Sequence, residues 1–275
     1  MKRYCFLLIF LLALIVSGAD RKEFQFFEPV QPPRPIQVMA HRGASGQAPE
    51  NTLPAFEKSI RLGVDFVEFD VRATSDGQFF LLHDADLRRT TNNNGPIRNF
   101  SSAAVKALDA GSWFGRDFVG LKLPTLDEFL SLVAGKVDLY FDAKDMPPAS
   151  LVAAVEKHHV AERTVVYQSV AYLQKLRALN PRIRALPPLD DPANLEKIAA
   201  ELKPYAVDAR WEILSKEFID RCHAKGIRVF SDSLGKHEKI EDFEQAIRWG
   251  IDLIQTDHPL RVLRAIELSE RSRQK

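Results

Sequence analysis

This sequence of 275 residues lacks the features of several protein classes. It contains only two cysteines, Cys5 and Cys222. Cys5 lies in an N-terminal segment that we expect to be removed, which excludes a disulfide framework within one mature chain. The formal net charge is +1, and the lack of a basic excess argues against a nucleic-acid binder. Hydrophobic residues make up 45% of the chain, which excludes wholesale disorder.

Long apolar runs are also scarce, and the one that stands out covers residues 5–16. Two basic residues precede it, and the small residues Ser17-Gly18-Ala19 follow it. The run is short for a membrane span, which needs roughly 20 residues. We therefore interpret residues 1–19 as a signal peptide, with a short N-terminal anchor as the alternative. This interpretation predicts an exported protein, periplasmic or extracellular, without a stable membrane span.

The remaining chain alternates between short apolar runs and segments of helical periodicity. Residues 20–35 are polar and then proline-rich, which indicates an extended lead-in to a domain over residues 36–275. Alternation of strands and helices predicts parallel strands joined by right-handed crossovers. The predicted strands are residues 36–40, 64–71, 79–82, 137–141, 164–168, 183–186, 205–207, 227–230 and 252–255.

One of these nine runs does not fit a parallel sheet. The run at 79–82 starts too soon after the previous strand for a crossover, which needs a dozen or more residues. The join contains Asp76-Gly77, a two-residue hairpin signal. We expect this run to return antiparallel, with His83 opposite Asp70. Eight parallel strands remain, so we predict a (β/α)8 TIM-like barrel with a small insertion at about residues 72–122.

Acidic residues end two neighbouring strands of this predicted barrel, at the end where barrel enzymes place their chemistry. Glu68 and Asp70 are two residues apart and share one face of a strand, and Asp142 ends the next parallel strand. Inward-facing carboxylates repel each other unless a cation lies between them. Oxygen ligands without cysteine favour Mg²⁺ or Ca²⁺. The alternative is ion pairing with Arg72 or Lys144.

Two histidines and two cations end strands at the same edge. His41 and His83 titrate near neutral pH, so one can act as a base while the other acts as an acid. Arg42 offers a planar fork for phosphate oxygens, and Lys144 offers a point charge. A metal, two cations and two histidines together suit a phosphodiester substrate.

Longer motifs support this interpretation and extend it. They are, in chain order, His41-Arg42-Gly43, Pro49-Glu50-Asn51-Thr52, Glu68-Phe69-Asp70, His83-Asp84, Arg89-Thr90-Thr91-Asn92, Leu123-Pro124-Thr125-Leu126-Asp127-Glu128 and Thr256-Asp257-His258-Pro259. With these motifs the chain strongly resembles the glycerophosphodiester phosphodiesterase family over roughly residues 36–265. The resemblance implies a barrel with an insertion after the second strand. It also implies an acid–base pair of His41 and His83, metal ligation by Glu68 and Asp70, and phosphate contacts from Arg42 and Lys144.

The chain departs from the family pattern at two places. Asp142 stands where the family often has a glutamate, so it keeps the charge of a metal ligand but reaches less far. The family's tryptophan near residues 229–234 is absent, and Trp211 can supply an aromatic wall from the neighbouring strand instead. Asp208 and Asp232 add negative charge, which favours a polyol or amino-alcohol group over a second anion.

We therefore expect a metal-dependent enzyme that hydrolyses small glycerophosphodiesters to glycerol 3-phosphate and an alcohol. One alternative is a phospholipase D-like lyase that forms a cyclic phosphate on a similar barrel. The other is a secreted barrel that binds ligands without catalysis. The sequence does not indicate an oligomeric state.

Overall fold

The computed structural model describes residues 34–273, and the following account concerns that part of the chain. The predicted signal peptide and residues 20–33 of the predicted lead-in lie outside the described residues. Among the described helices, none combines the length and the apolar character needed to cross a bilayer.

Ten strands form one sheet in the described part of the chain. Nine of them run parallel, and one pairs antiparallel with its predecessor in the chain. They are β1 (Gln37–Ala40), β2 (Phe66–Ala73), β3 (Phe79–Leu81), β4 (Asp138–Asp142), β5 (Thr164–Tyr167), β6 (Arg184–Leu186), β7 (Pro188–Leu189), β8 (Ala206–Ala209), β9 (Arg228–Asp232) and β10 (Leu253–Thr256).

Helices follow most of the parallel strands and cover the outside of the sheet. They are α1 (Leu53–Leu62), α2 (Ser102–Ala107), α3 (Leu126–Val133), α4 (Pro148–Lys157), α5 (Val170–Leu179), α6 (Leu195–Leu202), α7 (Lys216–His223), α8 (Ile240–Trp249) and α9 (Pro259–Arg273). Local sequence fixes several ends. For example, Thr125 and Glu128 form a reciprocal capping box at the start of α3, and Gly63 ends α1 with a φ of 70°.

The parallel strands form a nearly closed barrel in the order β6-β5-β4-β2-β1-β10-β9-β8-β7. The segments β6 and β7 are two pieces of one extended stretch interrupted at Pro187. The N–H of Tyr205 donates to the carbonyl of Ala185 at 3.1 Å, and the N–H of Asp208 donates to that of Pro187 at 3.0 Å. The predicted eight-position barrel is thus confirmed, with its fifth strand in two pieces.

The hairpin between β2 and β3 exists, but its predicted register is wrong by one residue. Val71 pairs with Leu81, so the N–H of Leu82, not that of His83, reaches the carbonyl of Asp70, at 3.0 Å. The loop has three residues instead of two, because Gly77 adopts a φ of 75° after a tight turn and adds a bulge. His83 therefore lies one position further beyond the pairing.

The insertion after the second strand is also confirmed, and it has a small core of its own. It begins with β3, contains α2, and returns to the barrel beside its starting point, where the N–H of Leu81 donates to the carbonyl of Pro124 at 3.0 Å. Its apolar cluster consists of Phe80, Leu82, Leu87, Ile97, Val105, Leu108, Ala110 and Leu123. The insertion is thus a packed excursion and not an open loop.

The barrel interior is apolar in its middle and acidic at its C-terminal end. Each barrel position contributes one residue to an interior cluster, which consists of Met39, Phe66, Tyr140, Val165, Leu186, Ala206, Phe230 and Leu253. Since side chains alternate along a strand, Glu68 and Asp70 follow Phe66 on the inward face of β2. The fold therefore directs the predicted metal ligands into the barrel mouth.

Candidate active site

Three carboxylates meet at the mouth of the barrel. Asp70 in β2 and Asp142 in β4 are direct register partners, and Glu68 lies one inward position below Asp70. One oxygen atom from each of the three groups lies within 4.8 Å of the others. The residues are only 4% (Glu68), 1% (Asp70) and 8% (Asp142) exposed. The structure therefore brings together the metal ligands predicted from the sequence.

The surrounding groups balance this negative charge only in part. The backbone N–H of Arg42 donates to Oε2 of Glu68 at 2.7 Å, and Lys144 pairs with Asp142 and, at 3.3 Å, with Oδ1 of Asp70. Burial, with the charges of Asp70 and Asp142, raises the pKa of Glu68 well above its ordinary value. Burial likewise raises the pKa of Asp142.

This residual negative charge and the all-oxygen donor set fit a divalent cation of the hard type. The ion pairs that the sequence offered as an alternative are present for Lys144, whereas Arg72 pairs with Asp145 instead. Lys144 therefore balances part of the negative charge of the acidic group.

The loop after β1 holds Arg42 in an unusual conformation. Arg42 has a φ of 54°, a left-handed region that a side chain such as arginine rarely adopts. Its carbonyl accepts the backbone N–H of Asn51 at 3.0 Å, and its guanidinium pairs with Glu50 at 2.9 Å. Nε of Arg42 also lies 3.5 Å from Oδ2 of Asp70. These contacts turn the side chain toward the carboxylate group.

Asn51 fixes the orientation of Asp70 instead of capping α1. Its Nδ2 donates to Oδ2 of Asp70 at 2.8 Å, and its Oδ1 accepts the backbone N–H of Asp70 at 3.2 Å. Thr52 is the cap position of α1, but its hydroxyl donates to the carbonyl of Pro49. Asn51 therefore supports the acidic site.

Each candidate proton carrier is held by a carboxylate at the same ring nitrogen. Nδ1 of His41 lies 2.8 Å from Oδ1 of Asp257, and Nδ1 of His83 lies 2.7 Å from Oδ1 of Asp84. Because a carboxylate only accepts, Nδ1 carries the hydrogen and Nε2 becomes the proton-accepting atom of each neutral ring. Ser45 also donates to Asp257 at 3.0 Å.

Both histidines lie within electrostatic range of the acidic mouth. The charge of His83 lowers the pKa of Asp142 against the larger effect of burial. In the same way, burial raises the pKa of Asp232 and the charge of His41 opposes this rise. His41 and Arg42 line a cavity of about 280 Å³ together with Ser45, Gly46, Glu50, Asp257 and His258.

The far side of the mouth carries further acidic and aromatic groups. The hydroxyl of Tyr140 donates to Oδ2 of Asp208 at 2.6 Å across the barrel, and Tyr167 stacks on Tyr140 with ring centroids 5.9 Å apart. Burial raises the pKa of Asp208 to about 7, and the charge of Asp232 adds to this rise. Asp232 itself ends β9 and is exposed.

Trp211 does not share these contacts. It is only 9% exposed and belongs to the hydrophobic cluster between barrel and helices. Its ring stacks on His237 at 5.6 Å and lies 6.4 Å from the ring of Phe243 in α8. The predicted aromatic wall of the substrate pocket has no support in these contacts and stays a prediction.

Asp257 and Asn51 are site residues whose partners the sequence does not predict. Both lie in motifs that carry the family resemblance. The available signal for Asp257 is an acidic residue directly after β10, at the end of the barrel where such enzymes place their chemistry. No local signal pairs Asn51 with Asp70.

The barrel mouth thus holds clustered carboxylates, two imidazoles held by carboxylates, and two cations. Together with the fold, this site indicates the class of TIM-barrel phosphodiesterases. The model of the glycerophosphoryl diester phosphodiesterase family matches residues 41–261. The chain belongs to this family, and it is an enzyme of that class.

Individual relatives agree with this assignment. A glycerophosphodiester phosphodiesterase of Bacillus subtilis is 31% identical over 252 residues, which cover 82% of this chain and 85% of that protein. The crystal structure of an Agrobacterium tumefaciens glycerophosphodiester phosphodiesterase matches with a TM-score of 0.76 and 27% identity, over 83% of this chain and 99% of that one. An Oleispira antarctica phosphodiesterase, solved in complex with the product sn-glycerol-3-phosphate, matches with a TM-score of 0.75 and 26% identity, over 84% and 96% of the two chains.

Proposed function

We propose that this protein hydrolyses glycerophosphodiesters to glycerol 3-phosphate and an alcohol, with the help of a divalent cation. The observation that carries the proposal is the meeting of Glu68, Asp70 and Asp142 with His41 and His83 at one barrel mouth. The bound product of the Oleispira antarctica relative supports the choice of glycerol 3-phosphate.

In this proposal Arg42 and Lys144 bind the phosphate, since both cations border the acidic group. A divalent cation held by Glu68, Asp70 and Asp142 supplies positive charge that offsets the negative charge developing on the phosphate oxygens. Mg²⁺ and Ca²⁺ both suit these oxygen donors.

The two imidazoles carry the protons. Nε2 of one neutral ring takes a proton from the attacking water or from a neighbouring hydroxyl of the substrate, and Nε2 of the other ring, which begins protonated, gives its proton to the leaving alcohol. Attack by the substrate hydroxyl first gives a cyclic phosphate, and water then opens that ring to glycerol 3-phosphate. Asp257 and Asp84 hold the rings and stabilise the charged form of each. The P–O bond to the alcohol breaks as the new P–O bond forms.

In this proposal the alcohol faces two acidic groups, the exposed Asp232 and the half-buried Asp208. This negative charge favours a polyol or an amino-alcohol over a second anion. No nucleic acid fits this pattern, because the chain lacks a basic excess.

A substrate panel with added Mg²⁺ or Ca²⁺, and with a chelator, tests the proposal. We expect turnover of glycerophosphoethanolamine and glycerophosphocholine that a chelator abolishes and one of the cations restores. Phosphorus NMR distinguishes glycerol 3-phosphate from a cyclic phosphate, which would instead indicate the lyase. Inactivity on every diester with metal present would contradict an enzyme and favour a binding barrel.

Substitution of the histidines tests their roles. His41→Ala and His83→Ala should each lower turnover by at least roughly 10²-fold, as expected for loss of a general acid or base. His159→Asn is the control, because His159 is exposed after α4 and its φ of 56° suits asparagine. Near-wild-type turnover of either alanine variant would remove that histidine from the mechanism.

We also propose that the protein is exported. The proposal rests on the basic start, the apolar run and the small residues of segment 1–19. N-terminal sequencing of the protein recovered from the periplasm or medium of an expressing cell should begin at Asp20. Recovery of the full chain in the membrane fraction would indicate an anchor.

A further inference from the structure

Arg89 joins two parts of the chain at the barrel mouth. Its Nη1 and Nη2 donate to the two oxygens of Glu50 at 2.6 and 2.8 Å. Its Nε and Nη2 donate to the two oxygens of Asp84 at 2.7 and 3.1 Å. All three nitrogens of the guanidinium are thus used, and Glu50 lies 39 residues from Arg89 along the chain.

Each of these carboxylates has a second partner that the proposed mechanism uses. Oε1 of Glu50 accepts Nη1 of Arg42 at 2.9 Å, and Oδ1 of Asp84 accepts Nδ1 of His83 at 2.7 Å. These hydrogen bonds form one network that runs in the order Arg42, Glu50, Arg89, Asp84, His83. Its two ends are the proposed phosphate-binding cation and one proposed proton carrier.

The alternating charges of these residues stabilise the network. The hydrogen bond from Arg89 is the main cause that lowers the pKa of Asp84. Burial alone would raise the pKa of Glu50, but the bonds and charges of Arg89 and Arg42 hold it below its ordinary value. The Glu50 side chain is only 11% exposed, so its negative charge needs both cations.

We propose that Arg89 is a positioning residue that sets the placement of His83 relative to Arg42. A planar guanidinium can bind two carboxylates through paired bonds at a fixed angle, whereas an ammonium group supplies only a point charge. Arg89 thereby ties the start of the insertion, which carries His83, to the loop after β1, which carries Arg42. Arg72 complements it by donating to the carbonyl of His83 at 2.8 and 3.0 Å.

The inference rests on the proposed phosphodiesterase activity, and its test combines kinetics with a readout that needs no turnover. We expect Arg89→Ala to lower kcat/KM by roughly 10- to 100-fold, the usual effect of losing a group that orients a catalytic residue. Both kcat and KM should change, because the hydrogen-bond network ends at a proposed proton carrier, His83, and at a proposed phosphate-binding group, Arg42.

Two further variants separate positioning from charge. Arg89→Lys keeps the positive charge but cannot form the paired bonds, so it should remain impaired, and added guanidinium should raise the activity of Arg89→Ala. Arg88→Ala removes a neighbouring exposed arginine and should leave kcat/KM within about 2-fold of wild type, as surface changes usually do. Melting temperatures of all variants check that each is folded.

The imidazole NMR signals of His83, assigned by their loss in His83→Ala, supply the second readout. They should show a more mobile ring in Arg89→Ala and no change in Arg88→Ala. If wild type turns over no diester, the proposed function fails while these signals still decide the role of Arg89. Unchanged His83 signals in Arg89→Ala, or full activity of Arg89→Lys, would overturn the inference.

Discussion

Asp208 should make the stability of this barrel depend on pH in a direction opposite to that of most ion-paired aspartates. Its pKa is raised from the ordinary 3.8 to about 7, chiefly by burial. The folded state therefore favours the protonated form, and ionisation of Asp208 destabilises the fold. The penalty is absent below the ordinary pKa, grows as the pH rises toward 7, and is constant above that value.

The substitution Asp208→Asn removes this penalty and keeps an oxygen that can accept the hydroxyl of Tyr140. Between pH 5 and pH 7 the wild-type penalty grows by at most about 2.7 kcal/mol, since one pH unit corresponds to about 1.4 kcal/mol. Asp208 is partly exposed, so we expect about 1–2 kcal/mol in practice because solvent screens part of the effect. That corresponds to roughly 3–6 °C in melting temperature for a barrel of this size.

The assay is thermal or urea unfolding of both proteins at pH 5 and pH 8 with a chelator present. The free energy of unfolding of Asp208→Asn should exceed that of wild type by more at pH 8 than at pH 5. Asp190→Asn, which removes an exposed carboxylate nearby, serves as the control for charge loss and should have the smaller effect, because exposed charges interact weakly. A difference between Asp208→Asn and wild type that is the same at both pH values would refute the reasoning.

The remaining predictions concern the site and one helix end. Asp257→Asn should lower kcat, measured by steady-state kinetics, by roughly 10²-fold or more, because an amide neither stabilises the charged ring of His41 nor fixes its tautomer. A wild-type kcat would exclude a role of Asp257 in orienting His41. Saturating Mg²⁺ or Ca²⁺, at about 100 times its Kd, should stabilise wild type by about 2.7 kcal/mol. The stabilisation should be largely lost in Asp70→Asn, and equal melting shifts in both proteins would place the cation elsewhere. Thr125→Ala should cost about 1 kcal/mol in urea unfolding by removing the capping box with Glu128, without a change in KM.

The barrel could be predicted from the sequence because its signals are local and repeated. Short apolar runs alternate with helical periodicity, and each strand position contributes one residue to the interior. The spacing of Glu68 and Asp70 then fixes their common face, and the parallel partner strand brings Asp142 beside them. These inferences need only the two-residue repeat of a strand and the direction of the chain.

The errors have different physical causes. The hairpin register was missed because the left-handed conformation of Gly77 adds a residue to the turn, and a two-residue turn has the same local sequence. The contact of His41 with Asp257 spans 216 residues, so only closure of the barrel reveals it. The aromatic wall predicted at Trp211 stays a prediction, because the contacts of its ring with His237 and Phe243 do not test it.

The arrangement of the insertion has an evolutionary consequence. Its two ends meet at the β3 pairing, and its buried side chains pack among themselves, so a stretch of different length can replace its outer part without displacing any barrel strand. The groups that the proposed mechanism uses, from His83 to Arg89, lie near its start. Recombination that keeps the buried positions after Arg89 and changes the exposed residues between them would thus give descendants new surfaces on the insertion while the proposed proton-transfer groups stay in place.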